Sequence, residues 1–297
     1  MTSHQPEGAA QGSDSARRPN SPLVRGISAS VVIPNFNGVA FLSETLASIA
    51  AQQSVVMDVV IVDGGSTDGS VEIIRSWAEA NGARWISEPD GGQAQAINKG
   101  FRMARGEIVT WLNSDDLFPP GAVARAIHEF EKDRDLDFIW GFCLLIDADG
   151  QPIRIGNFDV RRDLAELRGS RNFVTQPGTW FRRSVFDRFG YLDESYQFVF
   201  DYEFFLRLAG NVKARFVPEV MSNFRIHPSS KTGSQHGKFL PEEWRAFRSH
   251  GGKVNSPFVL DALRNRLVMP AVSRMTRPLR HLLWRALGLK PGTKIRV

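Results

Sequence analysis

The sequence contains a single cysteine, Cys143, and no long apolar run. One cysteine excludes an internal disulfide, so we expect a reducing compartment. Cys143 lies in an apolar segment, residues 138–144, that predicts a strand, which favours a buried structural thiol over a nucleophile. No stretch approaches the ~18 apolar residues of a membrane-spanning helix, and residues 1–26 lack the apolar centre of a signal peptide. These absences predict a cytoplasmic protein with a disordered tail over residues 1–27.

The chain also lacks a strong charge of one sign outside its C-terminal part. Its net charge is +5, yet residues 253–297 alone hold ten Lys or Arg against one Asp, so the preceding residues are mildly acidic. No basic stripe accompanies the candidate chemistry described below, and nucleic acid is therefore not an expected partner. With 297 residues, of which 42% are hydrophobic, the chain can bury one substantial core. We expect one catalytic domain over residues 28–235 and a basic helical extension over 236–297.

Strand and helix patterns alternate in the first half of the chain, as in β-α-β units that form a mainly parallel sheet. Apolar segments predict strands over residues 30–34, 59–62, 84–87 and 108–112, with amphipathic helices between them. The second half contains a hairpin turn at Asp149-Gly150 and strand patterns over 137–147, 151–158, 174–182, 214–217 and 220–226. The sequence thus predicts an α/β fold, with a Rossmann-like nucleotide-binding half joined to a mixed acceptor-binding half.

The most informative stretch is Asn113-Ser114-Asp115-Asp116, which directly follows one of the predicted strands. Carboxylates at a strand exit suit a hard divalent cation such as Mg²⁺ or Mn²⁺, which shares its oxygen ligands with substrate phosphates. This chemistry indicates a nucleotide diphosphate. The alternative is structural, because Ser or Asp ahead of a helix satisfies its free N–H groups.

Polar residues follow the other predicted strands at the same edge of the sheet, where open α/β sheets bind ligands. Pro34, Asn35 and Asn37 end the first strand and either contact a ligand or form a plain turn. Asp63 ends the second strand, where its carboxylate can accept a hydrogen bond from a pyrimidine N–H. The Ser-Thr pair at residues 66–67 would cap the following helix in either case.

A glycine-rich segment, residues 90–92, leads into a predicted helix over residues 93–104 that carries Asn98 and Lys99. Its spacing is not that of a phosphate-wrapping P-loop, which argues against a nucleoside triphosphatase. Either these polar side chains face the nucleotide, or they form the solvated face of the helix.

Four motifs then occur in one order along the chain. They are Val31-Val32-Ile33-Pro34-Asn35-Phe36-Asn37, Val62-Asp63-Gly64-Gly65-Ser66-Thr67-Asp68, Ala96-Ile97-Asn98-Lys99-Gly100 and Trp111-Leu112-Asn113-Ser114-Asp115-Asp116. Together they resemble the family 2 glycosyltransferases over about residues 28–230. The resemblance implies a GT-A fold, a nucleotide-sugar donor and an inverting transfer.

The resemblance also assigns roles to particular residues. It places Asp63 against the base or ribose, and it matches Asn113 and Asp115 to the two ends of the family's Asp-x-Asp signature, with Asp115 at the metal position. Asn113 departs from the signature, because an amide adds no charge, although its oxygen can still accept a ribose hydroxyl. Asp115, with or without Asp116, would then neutralise the metal.

The segment 200–208 resembles the part of the family that carries the catalytic base, which matches Asp201 to that role. An inverting displacement needs one carboxylate beside the acceptor hydroxyl, to remove its proton as the anomeric carbon is attacked. Phe200 stands where many members have Glu, and Glu203 is a competing candidate base. A structural alternative is that Asp201 caps the amphipathic helix that follows it.

Two further segments are matched through the resemblance. His227 lies where similar enzymes complete the metal site, and imidazole suits Mn²⁺ better than Mg²⁺. Arg225 beside it would steady the diphosphate. Gln176 and Trp180 belong to a segment similar to the acceptor-side loop, where Trp180 either stacks on a sugar or packs in the core.

The C-terminal part carries one apolar helical stripe surrounded by basic residues, formed by Leu279, Leu282, Leu283, Ala286 and Leu287. A basic amphipathic helix of this kind binds an anionic membrane surface, and a lipid-linked acceptor would follow from that. The alternative is that the stripe packs on the catalytic domain or on a second subunit.

The sequence therefore predicts a metal-dependent, inverting glycosyltransferase with Mn²⁺ or Mg²⁺ as cofactor. It would move a sugar from a nucleotide-diphosphate donor, with UDP or dTDP favoured, to a glycan or lipid-linked acceptor in surface polysaccharide synthesis. A catalytically silent sugar-nucleotide-binding protein is the alternative, motivated by Asn113 and Phe200. A nucleotidyltransferase is disfavoured because no glycine-rich, basic triphosphate loop follows the first strand.

Overall fold

The computed structural model describes residues 27–52, 55–156, 163–170, 172–231, 236–254 and 256. The strands within these ranges are β1 Ala29–Asn35, β2 Met57–Asp63, β3 Arg84–Ser87, β4 Ile108–Trp111, β5 Phe138–Ile146, β6 Pro152–Gly156, β7 Thr179–Arg182 and β8 Ala214–Arg225. The α-helices are α1 Val39–Ala50, α2 Ser70–Asn81, α3 Gln93–Met103, α4 Ala122–Lys132, α5 Ser184–Phe189, α6 Phe200–Leu208 and α7 His236–Ser249. Two short 3₁₀ segments cover Leu164–Gly169 and Gln176–Gly178.

All of these strands belong to one sheet. The strand order is β3-β2-β1-β4-β7-β5-β6, and β8 pairs with β5. The first four strands in that order run parallel to one another, as the alternating pattern predicts. β7 is antiparallel to both β4 and β5, whereas β5 and β8 are parallel. The prediction of a mainly parallel sheet with a mixed second half is confirmed.

Alternating side chains of β1 pack into two separate cores, one on each face of the sheet. Val32 joins the core that contains Ile97 of α3, whereas Val31 and Ile33 join the core that contains the apolar face of α1. Burial on both faces explains why the strand is a continuous apolar run. Gly100 lets α3 approach the sheet closely, because a Cβ at that position would lie 2.2 Å from Val32 Cγ1.

Three parts of the fold differ from the prediction. β8 is one strand where two were expected, because a bulge absorbs Pro218 and Glu219 without ending the pairing with β5. β7 begins at Thr179 rather than at residue 174, since the segment around Pro177 forms a 3₁₀ turn. Helices α4 and α5 have no counterpart in the prediction. α4 begins directly after Pro119-Pro120-Gly121, a segment typical of a loop.

Cys143 confirms its predicted structural role. It lies within β5, is buried, and receives a hydrogen bond from the Ser222 hydroxyl. Burial raises the pKa of its thiol to about 12, so the reactive thiolate is not formed at neutral pH.

The predicted C-terminal extension is described only in its first part, which forms α7. The apolar stripe Leu279 to Leu287 and the N-terminal tail lie outside the described residues, so the predictions made for them stay predictions. In the described portion, no helix combines the length and the apolarity needed to cross a bilayer.

Candidate active site

The carboxyl ends of β1, β2 and β3 bring three polar residues side by side. Asn35, Asp63 and Ser87 are register partners across these strands. The Asn35 amide donates to Asp63 Oδ1 over 2.7 Å, and the Ser87 hydroxyl donates to Asp63 Oδ2 over 2.7 Å. Ser66 adds its hydroxyl and its backbone N–H, and Gly65 adds its backbone N–H. Asp63 lies completely buried at the centre of this network.

These hydrogen bonds decide the role of Asp63. Burial alone would raise the pKa of its carboxyl, but the hydrogen bonds from Ser66, Ser87 and Asn35 outweigh burial and lower the pKa. The carboxyl is therefore ionised at neutral pH. Five donors already occupy its roughly four lone-pair sites, which leaves no acceptor for a nucleobase. The expected base contact of Asp63 is thus corrected, since its side chain shapes the loop after β2.

The loops after β1 and β2 form an open cradle above this network. Asn37 adopts a left-handed conformation with φ 49°, and its side-chain oxygen accepts the Thr67 N–H over 3.0 Å. Gly64 forms the floor, since a Cβ there would lie 2.8 Å from Asp90 Oδ2 and 3.2 Å from Phe36 Cδ2. Phe36 is 66% exposed beside it. Phe36 and Asp90 are not among the predicted site residues, although an exposed aromatic ring in a strand-end motif is a signal that identifies such a position.

Three predicted donor residues remain at this cradle. Ser114 is half-buried, and its hydroxyl lies 2.8 Å from the position of a Cβ on Gly38, so the loops after β1 and β4 touch. Asn35 keeps one buried oxygen, Oδ1, without a hydrogen-bond partner. Pro34 is buried in β1. Their contact with a donor stays a prediction.

Asp115 and His227 are 112 positions apart in the chain and meet in space. His227 Nε2 lies 3.0 Å from Asp115 Oδ2, and His227 Nδ1 lies 2.9 Å from the Ser229 hydroxyl. The distance between Asp115 and His227 is that of a direct hydrogen bond between the two side chains. Two ligands of one octahedral cation, with bonds of about 2.1 Å, also lie about 3 Å apart, so the same spacing is compatible with a shared ion. A hydrogen bond from Nδ1–H to Ser229 would leave Nε2 free to bind it.

The chemistry of this donor set fits a cation that is shared with a substrate. Within the described ranges, no group of three or more His, Cys, Asp or Glu side chains converges on one point. Two protein ligands suffice for an ion that also binds a diphosphate and water, as Mg²⁺ does in nucleotide sites. A carboxylate together with an imidazole suits Mn²⁺ better than Mg²⁺.

Arg225 stands behind this pair and does not face the cradle. Its side chain is fully buried and donates to the Asp115 carbonyl over 2.9 Å, the Ala148 carbonyl over 2.7 Å and the Glu44 carboxylate over 2.6 Å. The guanidinium also lies 4.7 Å from the centre of the Phe41 ring, which packs against the imidazole of the pair. The predicted diphosphate contact of Arg225 is corrected, because its guanidinium donors are taken by the main chain of Asp115 and Ala148 and by Glu44.

Asp116 turns away from the pair into the protein. It is completely buried and accepts the Arg225 backbone N–H and the Asn113 amide, each over 2.9 Å. Burial and the neighbouring Asp115 charge raise the pKa of Asp116 well above its usual range. Asn113 Oδ1 in turn accepts the Gln93 amide over 2.8 Å. Of the two carboxylates in this loop, Asp115 faces His227 whereas Asp116 points inward, and Asn113 joins the loop to α3.

Asp201 lies half-buried in the first turn of α6. Burial raises the pKa of its carboxyl to about 6, with a further contribution from the negative charge of Glu243. Its Oδ1 accepts the backbone N–H of the next residue, Tyr202, over 2.8 Å. The N-cap position of α6 is Val199, so the structural alternative that Asp201 caps this helix is not borne out. A carboxylate whose pKa lies close to the working pH is suited to general-base catalysis.

Glu203, the competing candidate base, is committed to other partners. It is buried, and its Oε2 accepts from the Arg207 guanidinium over 2.8 Å. Its Oε1 lies 3.3 Å from His250 Nε2. A buried carboxylate held by two neighbours offers no free oxygen to an acceptor hydroxyl, so the geometry favours Asp201.

Two predicted donor contacts on α3 are occupied by the protein itself. Asn98 is buried, and its amide donates to the Leu192 carbonyl over 2.9 Å and to Glu194 over 2.8 Å. Lys99 forms an ion pair with Glu88 at 2.7 Å. Asn98 therefore connects α3 to the loop before α6, which corrects its expected position at the nucleotide.

The two predicted acceptor residues also serve the core. Gln176 is buried and donates to the Trp111 carbonyl over 3.0 Å. Trp180 has no exposed surface and stacks on Phe118 with ring centres 5.8 Å apart. The expectation that Trp180 stacks on a sugar is wrong in this structure, because a central strand places its ring between sheet and helix.

Comparison with known proteins adds to this geometry. The family model described as glycosyl transferase family 2 matches residues 30–190, more than half of the chain. The chain belongs to glycosyl transferase family 2. This family 2 protein is 32% identical over 186 residues to a glycosyltransferase of Mycobacterium tuberculosis, which covers 61% of the chain and 68% of that relative. It is 31% identical over 186 residues to a PGL/p-HBAD biosynthesis glycosyltransferase of Mycobacterium bovis, with 61% and 70% covered.

Two solved structures share the fold of this family 2 protein. The S. aureus TarS fragment 1–349, in complex with UDP-GlcNAc, has 17% identity and a TM-score of 0.64, covering 88% of this chain and 80% of the other. The mannosyltransferase PcManGT from Pyrobaculum calidifontis, in complex with GDP-Man and Mn²⁺, has 20% identity and a TM-score of 0.65, covering 89% and 81%. The GT-A fold that the motifs imply is confirmed.

Proposed function

We propose that this family 2 glycosyltransferase moves a sugar, with inversion, from a nucleoside diphosphate donor to a hydroxyl of a glycan or lipid-linked acceptor. The observation that carries the proposal is the carboxylate–imidazole pair of Asp115 and His227. Its atoms are 3.0 Å apart, a hydrogen-bond distance that also suits two ligands of one cation. The pair lies just beyond β4, at the sheet edge where open α/β folds bind nucleotides.

Asp115 and His227 would hold Mn²⁺ or Mg²⁺ against the donor diphosphate. When bound, such an ion supplies positive charge that stabilises the departing nucleoside diphosphate. Arg225 keeps the main chain of Asp115 in place through its bond to the carbonyl, and Ser229 fixes the imidazole ring. The orientation of both ligands is therefore set before a donor arrives.

Asp201 is proposed as the general base. Its carboxylate would take the proton of the acceptor hydroxyl while that oxygen forms a bond to the anomeric carbon. The bond between this carbon and the diphosphate oxygen breaks on the opposite side, so the configuration at the carbon inverts. The raised pKa of Asp201 makes it a stronger base than an exposed Asp, and most of it is still ionised above pH 6.

The cradle of Phe36, Gly64 and Asp90 is proposed to bind the nucleobase. The exposed Phe36 ring offers a flat apolar face on which a base can stack, and the lack of a side chain on Gly64 lets Phe36 and Asp90 pack together there. UDP and dTDP remain the proposed donors, with support from the UDP-GlcNAc complex of the TarS neighbour in place of Asp63. Neighbours with the same fold were solved with UDP-GlcNAc and with GDP-Man, so a donor panel has to include guanine nucleotides.

The acceptor is proposed to be a glycan or lipid-linked sugar of the cell surface, used at an anionic membrane face. The excess of Lys and Arg over residues 253–297 supports attraction to such a surface. The Mycobacterium bovis relative is itself named for a role in biosynthesis.

Donor turnover by the full chain tests this proposal. We expect slow hydrolysis of a UDP- or dTDP-sugar with Mn²⁺, and none with a chelator. Asp115→Asn and His227→Gln should remove the Mn²⁺-dependent rate, whereas His128→Gln, on the exposed face of α4, should retain it. Donor binding without hydrolysis or transfer would instead support the silent sugar-nucleotide-binding alternative.

A further inference from the structure

The main chain just before Asp201 is held by a residue from another helix. Glu242 of α7 accepts the backbone N–H of Gln197 over 3.0 Å, of Phe198 over 2.8 Å and of Val199 over 3.2 Å. These consecutive N–H groups lead into α6, whose N-cap residue Val199 has no side-chain oxygen to offer. One carboxylate therefore fixes the start of the helix that carries the candidate base.

Lys231 holds the same segment from its other side. Its Nζ donates to the Gln197 carbonyl over 3.0 Å and to Gln93 Oε1 over 3.2 Å. Gln93 also donates to Asn113, in the loop of the candidate metal pair. The main chain of Gln197 is thus held through both its N–H and its carbonyl. Through Gln93 and Asn113 the contacts continue to the loop that carries Asp115.

Neighbouring negative charges offset part of the cost of burying Lys231, and close packing at Gly92 fixes the Gln197 side chain. Burial lowers the pKa of Lys231, and the negative charges of Glu242 and Asp90 act against that shift. The Gln197 side chain rests on Gly92, where a Cβ would lie 2.9 Å from Gln197 Oε1 and where φ is +129°. Only glycine readily adopts that conformation, so the sequence at the start of α3 is matched to the segment before α6.

We propose that Glu242 is a positioning residue for sugar transfer, which sets the place of Asp201 relative to the metal pair through the main chain of residues 197–199. This inference rests on the proposed role of Asp201 as the base. It makes α7, which lies beyond the family match over residues 30–190, a working part of the active site. A displacement of about 1 Å in a reacting group can cost about 100-fold in rate, so the loss should fall on kcat and spare donor binding.

The experiment compares Glu242→Gln, Glu242→Ala, Asp201→Asn and Arg248→Ala with the unchanged full chain. Gln keeps the length of the side chain and one acceptor oxygen, whereas Ala removes every bond to residues 197–199. Arg248 lies on the same helix and donates to the Gly252 carbonyl, outside the Glu242 contacts, so it is the matched control. Each chain is assayed for kcat and donor KM with Mn²⁺ and the sugar nucleotide turned over by the unchanged chain. Each is also melted with and without UDP and Mn²⁺.

We expect kcat to fall about tenfold in Glu242→Gln and about 100-fold in Glu242→Ala, with donor KM and the UDP–Mn²⁺ melting shift kept within about twofold. Arg248→Ala should match the unchanged chain. If Glu242→Ala does not fold, the isosteric Glu242→Gln variant tests the inference through its expected fall in kcat at unchanged donor KM.

Two results would overturn the inference while leaving the base assignment intact. One is a kcat within about threefold of the unchanged chain in the Glu242 variants while Asp201→Asn is inactive. The other is a fall in kcat matched by an equal loss of donor binding, which would indicate general damage. Turnover by Asp201→Asn, in contrast, would remove the proposed function itself.

Discussion

At the scale of the residue, Asp201 should control the acid side of the pH profile. Only its ionised form can accept a proton, and its pKa is raised to about 6 by burial. We therefore expect kcat/KM for the acceptor to fall about tenfold per pH unit below pH ~6, where an ordinary Asp would act down to pH ~4. A pH–rate profile at saturating metal measures this. A rate that stays flat down to pH ~5 would contradict the assignment.

The same raised pKa predicts a cost in stability. The folded pKa of Asp201 exceeds the unfolded value of about 3.9, so between pH ~4 and ~6 the native state binds more protons and the free energy of unfolding falls as pH rises. Above pH ~6 the full cost of an ionised, buried carboxylate is present. Asp201→Asn should then be more stable than the unchanged chain at pH ~8, by at most about 3 kcal/mol.

Urea unfolding of both chains at pH ~8 and pH ~4 measures this difference. The Asn side-chain oxygen can still accept the Tyr202 N–H, so loss of that contact does not confound the comparison. The stability advantage of Asp201→Asn over the unchanged chain should shrink towards zero at pH ~4. If Asp201→Asn is less stable than the unchanged chain at pH ~8, ionisation of Asp201 carries no free-energy cost in the folded protein, which would contradict the raised pKa.

Sequence reasoning located some of these residues and misjudged others for one physical reason. The family resemblance predicts that Asp115 and His227 share one site, and the structure brings their side chains within 3.0 Å of each other, while their metal role stays a prediction. Arg225, Asp63 and Asn98 lie in the same motifs, yet their side chains point inward to bonds with the protein. A motif gives the position along the chain, but the direction of a polar side chain depends on donors from distant elements.

At the scale of the element, close contact between α3 and β1 is a testable requirement. A Cβ on Gly100 would lie 2.2 Å from Val32 Cγ1, and a buried β-branched side chain has little freedom to move aside. Gly100→Ala should destabilise the fold by about 1–3 kcal/mol in urea unfolding. Gly169→Ala is the matched control, since nothing lies within 4 Å of its Cβ position, and it should stay within about 0.5 kcal/mol. Equal stability of the two variants would refute the close packing.

The parallel half of the sheet could be predicted almost completely, whereas in the mixed half only β5, β6 and the turn between them could be predicted closely. β1, β4 and the second half of β2 are buried on both faces and therefore appear as continuous apolar runs, which the sequence displays directly. α4 follows two prolines, and β8 passes through a bulge at Pro218 and Glu219, where local signals indicate breaks. The bonds from α7 to residues 197–199 depend on tertiary contact alone and leave no sequence pattern.

At the scale of the whole molecule, the charge of the C-terminal part predicts membrane attraction. Residues 255–297 hold nine Lys or Arg against one Asp, so a chain that ends at Val254 keeps α7 and loses this charge. The full chain should sediment with anionic vesicles, and the shortened chain should not. Neutral vesicles and raised salt serve as controls, since screening weakens such binding. Equal sedimentation of the two chains would remove the membrane hypothesis without touching the catalytic one.

The central claim is that Asp201 completes a site whose metal pair binds the donor on its own. Glycosyl transfer by Asp201→Asn, measured beside its donor-induced melting shift with Mn²⁺, tests that claim most directly. We predict a melting shift equal to that of the unchanged chain and a transfer rate lowered by about 100-fold or more. Transfer by Asp201→Asn at the unchanged rate would contradict the claim.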